Sequence, residues 1–214
     1  MRKFMVVPLG GLLAMAMAGP ALAGPNVSNT SGSLTVAQGS FDSYDEESGA
    51  YGSGYLSVSR DADSSQAFAE LSLYEDAYVQ CTGADTPDDP NDDSFGYRTT
   101  MTWAWGDASL DIGKNNGTAE AAADLFGGRE TFDGCTGEWS FEELELAVSM
   151  SLTATSGTVR ESGRGSFHLP GEYNGHSSYK SVYRSADGDL VIDGVTHTAF
   201  GAIGKVSWSD HFNG

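Results

Sequence analysis

Period-two alternation constrains this chain more than any other feature. Leu144, Leu146, Val148, Met150 and Leu152 occupy every second position, with Ser149, Ser151 and Thr153 alternating with them. That spacing gathers apolar side chains on one face of a strand and would scatter them around a helix. Ala67, Ala69, Leu71 and Leu73 repeat the pattern, and Tyr97, Met101, Trp103 and Trp105 alternate with Arg98, Thr100 and Thr102.

Between these runs stand turn residues rather than helical segments. Strands are predicted at Tyr55 to Arg60 and Ala67 to Cys81, around the turn Asp61 to Ser65, and at Tyr97 to Trp105, turning at Gly106-Asp107 into Ser109 to Ile112. Thr118 to Phe126 is alanine-rich enough for a short helix, yet Ala119, Ala121, Ala123 and Leu125 share a pleated face and Asn116-Gly117 precedes them, which favours a strand. Further strands are expected at Thr158 to His168, Ser177 to Ser185, Leu190 to Ile192 and Val195 to Val206, separated by Pro170-Gly171, Asp187-Gly188 and Asp193-Gly194. About ten strands with short connections imply an all-β chain, a single antiparallel β-sandwich or barrel with little or no helix.

The N-terminus reads as an address rather than a part of the fold. Arg2 and Lys3 precede an apolar stretch containing Val6, Val7, Leu12, Leu13 and Met15, and Ala21-Leu22-Ala23 has the small-x-small form of a cleavage site. Residues 1–23 are therefore expected to be a signal peptide, 24–34 a polar linker and 35–214 one β domain, secreted or periplasmic and with no membrane span after cleavage. Cys81 and Cys135 are the only cysteines, and export would let them form one disulfide.

Charge excludes one class of partner. The chain carries 30 Asp and Glu against 11 Lys and Arg, a formal charge of -19, and losing Arg2 and Lys3 makes that -21. Nucleic acid is disfavoured, because its binding rests on cations displacing counterions from phosphate. The charge is uneven: residues 24–145 hold four basic and 24 acidic side chains, residues 146–214 five and six.

Three clusters are candidates for chemistry. Asp85, Asp88, Asp89, Asp92 and Asp93 crowd oxygen ligands onto one loop, which suits Ca²⁺ although no EF-hand spacing is present; a solvated acidic loop is the plainer reading, and no cofactor is required by the sequence. Trp103 and Trp105, on one strand face, would make a stacking platform for a sugar if exposed, but beside Met101 and Tyr97 they are expected in the core. Arg160, Arg164 and His168 share one face of a strand, and Tyr179 and Tyr183, with Lys180 and Arg184 beside them, follow on the next. If the two strands pair, these groups are expected to line one groove.

The expectation from these features is a binding or structural role outside the cytoplasm, with a polysaccharide or cell-surface ligand. Glycan binding is its specific form. The alternative is a carbohydrate-active enzyme such as a polysaccharide lyase, with His168, Tyr179 and Lys180 moving protons while the arginines neutralise a uronic acid.

Overall fold

The computed structural model describes residues 28–46, 48–81, 94–169 and 173–213. Nine antiparallel strands account for nearly all of them: β1 (Ser28–Tyr44), β2 (Tyr51–Asp61), β3 (Ala67–Cys81), β4 (Ser94–Ile112), β5 (Thr118–Asp133), β6 (Glu138–Ala154), β7 (Val159–Leu169), β8 (Tyr173–Ile192) and β9 (Val195–Asn213). Their order in the sheet is β6-β5-β4-β3-β2-β1-β9-β8-β7, and β6 also pairs with β8. That extra pairing closes eight strands into a barrel.

β8 is shared along its length. Its last seven residues, Ala186 to Ile192, pair with β6, whereas Tyr173 to Tyr183 pair with β7. β7 therefore takes over the edge that β6 leaves, and β7, β8, β9 and the start of β1 run beyond the closed barrel as a sheet extension.

The alternation read from the sequence is what fills the barrel. Leu56, Leu125, Leu152, Leu190 and Ile203 point inward and are almost fully buried. They interleave with small residues, as in the cross-strand row Leu56, Leu71, Ala104, Gly127 and Leu144. Large beside small is how a narrow eight-stranded wall fills its interior without overpacking.

Several expectations need correction. Gly106-Asp107 is not a turn, since β4 runs continuously from Ser94 to Ile112. Asp187-Gly188 likewise lies inside β8. Gly188 is there because a Cβ would sit 1.9 Å from the Ser151 carbonyl oxygen on β6, a close approach that closes the barrel. Residues expected in a linker belong to β1 from Ser28 onward.

Trp103 and Trp105 are not core. Their strand sends Thr102 and Ala104 inward, both almost fully buried, and leaves Trp105 51% exposed on the outer face. Asp193-Gly194 does form the expected hairpin turn, with positive φ at both residues.

The predicted disulfide is formed. Cys81 ends β3, Cys135 lies in the β5–β6 turn, and their Cα atoms are 5.3 Å apart. The bridge crosses β4 at Gly96, where an added Cβ would stand 3.0 Å from each sulfur.

Among the described residues no helix is long and apolar enough to cross a membrane. Glu70, Asp107, Asp111, Glu120 and Asp124 occupy outward positions on β3, β4 and β5 and are exposed.

Candidate functional site, a basic sheet face

Antiparallel register assigns each side chain of the extension to one of two sides. Lys205 faces Thr35 on one neighbour and Val182 on the other, Thr35 faces Arg60, and Val182 faces Arg160. This row lies on the side that continues the barrel interior.

Successive rows outward on the same side run Ser33, Ser207, Lys180, Ser162, then Ser31, Ser209, Ser178, Arg164, then His211, His176, Ser166. His168 holds the next register position, opposite Asn174. Cations, hydroxyls and imidazoles therefore share this side, on which the Ser33 hydroxyl alone among them is buried without a hydrogen-bond partner among the described residues. Among the described residues of the extension, none of its positions on this side is Asp or Glu.

Its charges are available. Arg160, Arg164, Lys180 and Lys205 are exposed, whereas the ion pairs of the described residues, Arg98 with Asp133 and Arg129 with Glu142, stand at the other end of the barrel. Arg60 and Arg184 are committed to the rim: Arg60 donates to the Leu110 carbonyl at 2.8 Å and Arg184 to the Ser156 carbonyl at 2.8 Å. Lys114 joins them on the β4–β5 turn, whose Asn116 donates to the Val182 carbonyl at 3.5 Å.

The face thus collects more than the sequence suggested. Arg160, Arg164, Lys180 and Arg184 share it, as register requires. Tyr179 and Tyr183 do not, which corrects the expectation of a common groove. Tyr179 is paired with Gly163 and lies across it, and Tyr183 is paired with Gly204 while its hydroxyl donates to Glu161 at 3.0 Å. Burial and then the Glu161 carboxylate raise the Tyr183 phenol above its ordinary pKa, so it stays neutral and structural.

The sequence reading missed Lys205, His176, His211 and the serine rows. Their signal was present as parity along β8 and β9, but it carries meaning only once the pairing of four strands is fixed.

At the opposite mouth of the barrel lies a cleft of about 750 Å³ whose lining includes Phe41, Leu73, Thr102, Arg129, Glu142 and His197. The His197 ring stacks on Phe41 with centroids 3.9 Å apart, and Arg129 donates to Glu142 at 2.8 Å and to Thr102 at 3.3 Å. Arg129 thus joins Thr102 and Glu142 in one hydrogen-bonded set. The five aspartates proposed for Ca²⁺ lie outside the described residues, and no cluster of three metal-ligating side chains occurs among the described ones.

Comparison with known protein families, characterised proteins and solved structures returns no match for this chain.

Proposed function

We propose that this is an exported binding domain for a polyanion, an acidic glycan bearing carboxylates or sulfates, taken up by the basic face of the β7–β8–β9–β1 extension. The observation that supports it is a segregation of charge. Beyond residue 23 the chain has nine Lys and Arg; Arg98 and Arg129 are paired at one mouth, and the other seven gather at the opposite end.

A chain of formal charge -21 does not place its cations together merely to stay soluble. Arginine offers a planar fork to carboxylate or sulfate, and the exposed Ser31, Ser162, Ser166 and Ser209 offer hydroxyls to the sugar. A rigid sheet holds both in fixed rows, so a flat extended chain meets them without reorganising the protein.

The lyase alternative gains no support, because Tyr179 projects from the side opposite Lys180. Binding alone is the reading retained.

Its test is retention of the mature protein on immobilised polygalacturonate against a neutral polysaccharide, with R160A/R164A/K180A as the variant. Retention on the acidic polymer that falls at least about tenfold in the variant supports the reading, since each charge-assisted contact contributes roughly 1.5 kcal/mol or more. Equal retention of both proteins, or preference for the neutral polymer, refutes it.

A further inference from the structure

The outer wall formed by β3, β4, β5 and β6 is chemically the inverse of the basic face. Across it, Glu70, Trp105, Phe126 and Glu145 stand side by side in one register row. Trp105 and Phe126 are 51% and 57% exposed, and Phe141 is 60% exposed. Phe141 lies over Gly128 with its ring centroid 6.2 Å from that of Trp103.

Every outward position of these four strands can be assigned by parity, and none is Lys or Arg. Aromatic faces therefore alternate with carboxylates that have no cation beside them.

From this charge pattern we propose that the wall docks a Lys- and Arg-rich polypeptide segment of a partner protein. Such a segment uses both features at once. Its guanidinium and ammonium groups lie over the electron-rich ring faces, while Glu70 and Glu145 pair with the same or adjacent cations. The molecule's overall negative field steers it in from a distance.

Other occupants leave part of the surface unsatisfied. An apolar partner or a lipid core would bury the carboxylates without counterions, at a cost that ring burial does not repay. Anionic ligands are repelled. A neutral sugar chain could stack on the rings, but it brings no charge for the glutamates between them.

This docking is independent of the basic face, and its failure would leave the polyanion reading untouched. The experiment titrates hexa-arginine and hexa-lysine peptides into the mature protein, following tryptophan emission and binding heat at about 0.15 M salt. Four proteins are compared: the parent, W105A/F126A, E70Q/E145Q, and D187N/D189N as a control that removes two outward charges from β8.

The expected results are tighter binding of the arginine peptide, a change in tryptophan emission, a loss of about tenfold in each of the first two variants, and less than about twofold in the control. Equal losses in E70Q/E145Q and D187N/D189N, or unchanged affinity in W105A/F126A, would mean indiscriminate attraction to an acidic protein and overturn the proposal. Binding of a neutral cello-oligosaccharide with ring-dependent affinity exceeding that of the peptides would overturn it in favour of a sugar platform. Because the exchanged side chains are surface groups, folding should persist, and E70Q/E145Q retains a test if the ring variant proves unstable.

Discussion

Gly188 shows how much one side chain can decide in this barrel. Its missing Cβ lets the Ser151 carbonyl oxygen approach to where a methyl would be 1.9 Å away, at the β6–β8 pairing that closes the ring. A main-chain oxygen cannot move aside as a flexible side chain can. Gly188→Ala is therefore expected to cost about 3 kcal/mol or more, within the range of strained or overpacked core positions. Urea denaturation of parent and variant checks this, and a difference under about 1 kcal/mol would mean that the seam relaxes freely. From sequence alone Gly188 looked like half of a turn, because Asp-Gly is the composition of a hairpin, and nothing local distinguishes it from a strand glycine that admits a neighbouring backbone. Trp103 and Trp105 pose the same difficulty. That they share a face was legible from spacing, but which face is interior depends on volume: opposite Leu71 and Leu144 the narrow lumen has room for Ala104 and Gly127, not for indoles.

Elements were legible where alternation is strong, as in β3, β5 and β6, and illegible where one strand serves two neighbours. No local signal tells β8 to leave β7 and join β6 near Ala186, since that exchange is settled by the closure of the whole ring. The same limit explains the basic cluster, whose members were identifiable while the side taken by Tyr179 was not. The β5–β6 hairpin offers a test of local electrostatics. Arg98 donates to the Asp133 carboxylate at 3.1 Å, and the Cys135 backbone N–H donates to its other oxygen at 2.9 Å. Together, the guanidinium first, they hold this carboxyl below its ordinary value. A lowered carboxyl pKa stabilises the folded hairpin above the unfolded value of about 3.9, and that contribution is lost as pH falls through the folded value. Amide exchange at Cys135 and Thr136, corrected for intrinsic rates, should therefore accelerate below about pH 4, and Asp133→Asn should abolish the pH step. The disulfide makes a separate demand on the same hairpin. Because Gly96 lies under both sulfurs at 3.0 Å, Gly96→Val should leave free thiols in a labelling assay where the parent shows almost none.

At the scale of the molecule, the two charge systems act on a polyanion over different distances, and salt separates them. At about 10 mM salt the screening length is roughly 30 Å, so an approaching polyanion feels the whole acidic molecule. At about 0.1 M it shrinks to roughly 10 Å, which spans a few neighbouring strands. There Arg160, Arg164, Lys180 and Lys205 dominate, for the extension carries no carboxylate on their side among the described residues. Near 1 M the length is about 3 Å, and exposed cations lose their reach as well. Retention of an acidic polysaccharide should therefore rise and then fall with sodium chloride, with its maximum near 0.1 M, instead of declining from the lowest concentration as it would for a wholly basic protein. Thermal stability should behave differently: with two ion pairs among the described residues and acids crowding the outer walls, screening relieves self-repulsion at every step, and the melting temperature should climb throughout the series. A retention curve that only falls would show that the distant acids exert no opposing field. A curve indifferent to salt would remove charge from the interaction altogether, and with it the role assigned to the basic face.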